Sequence, residues 1–99
     1  MNRTDIYYYV EKPSTSSGYT AMERELGTFA GIKYDHAIIS SSRLHFIVDE
    51  LESRQLGNQL NHKTWKPVKI EILDHGIDCT YLRIGNYLMR CHHVSNIYV

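Results

Sequence analysis

A net charge is missing from this chain: eleven basic and eleven acidic residues cancel to zero. A strongly basic nucleic-acid binder, or an acidic mimic of nucleic acid, would show an imbalance. Long apolar runs are missing too. No stretch approaches the roughly 18 consecutive apolar residues of a membrane helix. The first eleven residues hold no apolar core followed by a small-residue cleavage site, so no signal peptide is expected. Cysteine is scarce, with Cys79 and Cys91 alone. That count excludes a disulfide-stapled secreted scaffold and points to a cytoplasmic protein with reduced thiols.

Glycine is scattered over positions 18, 27, 31, 57, 76 and 85, so no phosphate-cradling loop is present. Nucleophile-elbow and zinc-protease motifs are also absent. The six histidines (36, 45, 62, 75, 92 and 93) show no metal-ligand spacing, and His92-His93 point to opposite faces of a strand. No cofactor and no metal is expected. With 99 residues the chain is read as one domain, 1–99.

What is present in excess is tyrosine: eight, against two phenylalanines and one tryptophan. Tyrosine is common on strands and favoured at protein interfaces. Asp5 to Glu11 reads as a first strand, with Ile6, Tyr8 and Val10 on one face. The polar stretch Lys12 to Gly18 reads as a loop. Thr20-Ala21-Met22-Glu23 has the form of a capping box. Met22, Leu26, Phe29 and Ala30 then recur at helical spacing, predicting a helix over 21–30 that stops at Gly31. Ile32 to Ile39 reads as a strand. Ser40-Ser41-Ser42 supplies a helix cap, and Leu44, Ile47, Val48 and Leu51 follow at i, i+3, i+4 and i+7. This spacing predicts a second helix, 42–56, closed by Gly57.

Two turns organise the C-terminal third. Asp74-His75-Gly76 reads as a three-residue hairpin loop and Gly85-Asn86 as a two-residue one. The first sets Leu73 opposite Ile77, Glu71 opposite Cys79 and Lys69 opposite Tyr81. The second sets Ile84 opposite Tyr87, Tyr81 opposite Arg90 and Cys79 opposite His92. One face is then apolar: Val68, Ile70, Ile72, Thr80, Leu82, Ile84, Met89 and Cys91. A slip of one residue would mix the faces. The tail through Val99 is apolar enough to stay packed. The expected architecture is α+β: two helices on a mainly antiparallel sheet, β-α-β-α-β-β-β, ending in a three-stranded meander.

The polar face of the meander is the candidate site. Lys69, Tyr81, Arg83, Arg90 and His92 meet there, residue types that carry binding energy at protein interfaces. The leading expectation is a small non-catalytic protein-binding module, an inhibitor or adaptor of the kind that phage and mobile elements use against host machinery. Its partner is a protein, with a homodimer through the same face as the variant. A nucleic-acid-binding regulator using Lys69, Tyr81, Arg83 and Arg90 is one alternative. A thiol enzyme using Cys79 and His92 is another. For that chemistry the row Glu71–Cys79–His92 places the carboxylate beside the sulfur, whereas an orienting acid belongs behind the histidine. A Cys79–Cys91 disulfide is not expected, because the two side chains face opposite ways.

Overall fold

A computed structural model describes residues 2–12, 24–40, 43–60 and 65–93. Its core is a closed barrel of six strands, and only one short α-helix occurs among the described residues. The expected α+β sandwich with two helices is therefore wrong.

The strands are β1 (Asn2–Glu11), β4 (His36–Ser40), β5 (Arg43–Ile47), β6 (Lys66–His75), β7 (Cys79–Ile84) and β8 (Tyr87–His93), with a small separate hairpin of β2 (Gly27–Phe29) and β3 (Ile32–Tyr34). Around the barrel the order is β1-β5-β4-β8-β7-β6, and β6 closes back on β1. Two of the six pairings, β1 with β5 and β4 with β8, are parallel. β1 shears across its neighbours: Asn2 to Tyr8 pair with β6, and Tyr7 to Glu11 pair with β5.

Both expected helices fail for identifiable reasons. Residues 43–47 form β5, buried on both faces from Leu44 to Ile47. A strand buried on both sides shows no alternation, and its apolar run then matches a helical stripe by accident. The helix that does form, α1 (Glu50–Leu56), starts at Asp49, whose side chain accepts the Glu52 N–H at 2.8 Å. It stops at Gly57, as expected, with φ 53°. Leu51, assigned to the core stripe, is exposed. Ser40 ends β4 and caps no helix; Ser41 and Ser42 lie outside the described residues.

The other expected helix, 21–30, is replaced over 24–30 by an irregular segment, β2 and the start of a turn, while the capping box Thr20–Glu23 lies outside the described residues. Ala30 and Gly31, both at positive φ, make the two-residue turn into β3. Gly27 is needed there because a Cβ would run into the Tyr34 ring. The run 32–39 is broken at Asp35 into β3 and β4. The loop residues 13–18 and the tail 94–99 lie outside the described residues.

The barrel interior takes the residues that alternation selects. Ile6, Leu44, Phe46, Ile70, Leu82, Ile84, Met89 and Cys91 form one cluster, with Tyr8, Val10, Val68 and Ile72 packed against it. The apolar meander face is thus the barrel lining. The β2–β3 hairpin is fastened to it by rings: Phe29 stacks on Phe46 at 4.9 Å and meets Tyr8 edge-on at 5.1 Å. No helix among the described residues is long and apolar enough to cross a membrane.

Candidate functional site on the outer wall

The outer wall of β6, β7 and β8 is built from the residues that alternate away from the lining. The Gly85-Asn86 turn sets β7 against β8 as expected: Ile84 faces Tyr87, Tyr81 faces Arg90 and Cys79 faces His92. The other hairpin differs. β6 runs on to His75, a bulge lies between Ile72 and Asp74, and the loop closes through Gly76 N–H to Cys79 C=O at 2.7 Å. Glu71 consequently faces Arg83, not Cys79, and Asp74 faces Tyr81. As far as Ile72 the shift is four positions, an even number, so the inward and outward faces survive it there, and the bulge adds a fifth beyond.

The five expected binding residues divide into two groups. Lys69, Tyr81 and Arg83 are open. Lys69 stands 4.0 Å from the exposed Asp5, and Tyr81 is 45% exposed. Arg83 reaches across to the buried Glu71 with Nη2 on Oε1. Lys69, Ile70, Glu71, Arg83 and Gly85 line a shallow cleft of about 250 Å³. Leu88, directly opposite Arg83, is 71% exposed and continues this surface.

Arg90 and His92 are instead covered by Glu25. Its carboxylate Oε1 meets Arg90 Nη2 and lies 3.4 Å from His92 Nε2. Glu25 is held by its own N–H to Asp35 C=O at 3.0 Å, and Arg24 beside it donates from Nε to Asp35 at 2.6 Å. That contact holds the Arg24 guanidinium above its ordinary value. Sequence reasoning missed Glu25, which it placed inside the helix 21–30. No local signal links it to a strand more than fifty residues away.

The opposite ring nitrogen of His92, Nδ1, lies 3.8 Å from Cys79 Sγ. Neither cysteine is in a disulfide. They differ sharply in setting. Cys79 is partly exposed on the wall, whereas Cys91 lies in the lining. Burial, with the nearby Cys79 thiol second, pushes Cys91 up to about 12, and burial likewise raises Tyr34. No group of three or more His, Cys, Asp or Glu among the described residues is arranged to hold a metal ion.

The Cys91 shift gives an alkaline weakness. Below its ordinary value of 9.0 both the folded and unfolded chains keep this proton. Between about 9 and 12 only the unfolded chain releases it, so stability falls as pH rises, by up to about 1.4 kcal/mol per pH unit. Urea midpoints measured at pH 8 and 10.5 should show this fall, and Cys91→Val should flatten it. An unchanged slope in that variant would assign the fall to other groups.

No family model matches the chain, and comparison with curated proteins and with solved structures likewise gives no match.

Proposed function

We propose that this chain is a small non-catalytic protein-binding module, an inhibitor or adaptor working in the cytoplasm, and that it docks a partner protein on the outer wall of β6–β8. The observation that carries this reading is the juxtaposition of exposed Tyr81 and Leu88 with a cleft lined by Lys69 and Arg83. An exposed aromatic and a leucine beside the exposed Lys69 are suited to a partner with an apolar centre and a polar rim. The strand ladder fixes the backbone that carries these side chains before contact, which lowers the entropy cost of binding.

Charge favours protein over nucleic acid as the occupant. Arg83 and Arg90 each already face a carboxylate. A phosphate-tracking surface needs cations not already matched by carboxylates. A homodimer through this wall is the other occupant the surface would accept.

The test is capture from nuclease-treated host lysate by wild type and by Tyr81→Ala/Leu88→Ser. Both substituted side chains are exposed, so folding should be kept within about 0.5 kcal/mol. A defined partner lost by the folded variant, with at least a tenfold drop in affinity, is the expected outcome. Capture that survives the variant, or that vanishes with nuclease, would overturn the proposal. Sedimentation of the pure protein reads the homodimer separately.

A further inference from the structure

We infer that Cys79, His92 and Glu25 form a thiol site in which Cys79 exchanges with disulfides. The three groups stand in the order that thiol activation needs. His92 Nδ1 is 3.8 Å from Cys79 Sγ, and His92 Nε2 is 3.4 Å from Glu25 Oε1. The carboxylate therefore lies behind the imidazole, on the side away from sulfur, where it orients the ring. Glu71, the acid that the sequence places beside Cys79, is paired with Arg83 instead.

Three independent parts of the fold produce this line. The Gly85-Asn86 turn brings Cys79 opposite His92. The segment before β2 carries Glu25, pinned by its backbone to Asp35. Arg90, the next outward residue on β8, holds the same carboxylate oxygen. His92 is largely enclosed, with its side chain 13% exposed, while Cys79 remains open enough to meet a small reagent.

The surroundings select the reaction. β7 runs as a regular ladder from Cys79 to Ile84. Backbone N–H groups committed to that ladder do not form an oxyanion hole, which attack on a carbonyl requires. Attack on sulfur develops its negative charge on the leaving sulfur and needs no such hole. The step is thiol–disulfide exchange with a low-molecular-weight disulfide. His92 takes the Cys79 proton, and the thiolate forms a new S–S bond to one sulfur of the reagent. The reagent's own S–S bond breaks, and its other sulfur leaves as a thiol carrying the proton from His92. No net oxidation occurs.

Cys91 faces the barrel lining and is not placed to resolve the product, so the mixed disulfide persists as a stoichiometric, reversible modification. This site stands whether or not the neighbouring wall binds a partner.

The experiment is site-resolved labelling of the purified protein by iodoacetamide across pH 5–10, followed by incubation with oxidised glutathione. At pH 6.5 Cys79 should react at least tenfold faster than an unstructured peptide thiol, and Cys91 should stay unlabelled. His92→Gln should move the Cys79 pH–rate midpoint up by about one unit, and Glu25→Gln should move it by less in the same direction. Oxidised glutathione should add one adduct, on Cys79. Silence of Cys91 in each variant reports that the fold is intact. A wild-type Cys79 profile that overlays the peptide thiol would overturn the site, and that measurement depends on no variant. So would an unchanged midpoint in folded His92→Gln.

Discussion

Phe46→Ala should cost about 3–5 kcal/mol of stability, the largest loss expected from any single truncation here. Phe46 is 1% exposed and sits where three other rings converge. Phe29 stacks on it at 4.9 Å, Tyr34 leans on it at 5.0 Å and Tyr8 meets it at 5.8 Å. Tyr8 belongs to the barrel wall, whereas Phe29 and Tyr34 belong to the separate β2–β3 hairpin. One ring thus joins two sheets. Its removal leaves a cavity that neither sheet can collapse into, because each is held by its own ladder. Urea unfolding measures the loss. Hydrogen exchange should show β2–β3 amides losing protection ahead of the barrel strands. A destabilisation below about 1 kcal/mol would mean that the ring is not enclosed as described.

The second large effect lies on the opposite face of β5. His45, 2% exposed, donates from Nδ1 to Glu11 Oε2 at 2.7 Å. Tyr9 and Trp65 flank the imidazole at 6.2 and 5.3 Å, and Trp65 is capped by the Arg43 guanidinium at 4.8 Å. Glu11→Ala strips the carboxylate from a polar ring enclosed by aromatics. The expected cost is about 2–4 kcal/mol, mostly from the buried donor left behind. Glu11→Leu/His45→Leu should recover part of this, because two apolar groups leave no unmet donor. A double-mutant cycle in urea reads the coupling, which should exceed about 1 kcal/mol. Independent, additive losses would show that the pair does not act as a unit.

The meander was legible because its signals are local. Gly85-Asn86 specifies a two-residue turn, and that turn dictates the pairing of Cys79 with His92 and Tyr81 with Arg90. β1 was legible for a similar reason, since Ile6, Tyr8 and Val10 alternate toward the lining. The barrel was not legible. Closure depends on parallel pairings between β1 and β5 and between β4 and β8, and no turn sequence encodes a parallel partner. Leu44 to Val48, buried throughout, offers no alternation to distinguish strand from helix. The bulge at Leu73 was likewise hidden, because Asp74-His75-Gly76 is itself a plausible turn. Of the wall residues, Lys69, Tyr81 and Arg83 lie open as expected, while Arg90 and His92 are claimed by Glu25, whose position depends on tertiary contact alone.

The seam at β1 also bears on how the chain is made. β1 has a partner on each side, β5 and β6, and both are synthesised after it. Until β6 emerges from the ribosome, β1 has only half of its ladder. The nascent chain therefore carries open strand edges through much of its synthesis, the condition under which strands pair with the wrong neighbour. Such long-range closure is slow by nature. The gap between β5 and β6 fits β1 of any copy equally well. At high expression, two chains emerging side by side can trade their β1 strands and finish as an interlocked pair. Slower translation, or fewer ribosomes per message, would favour the self-sealed monomer.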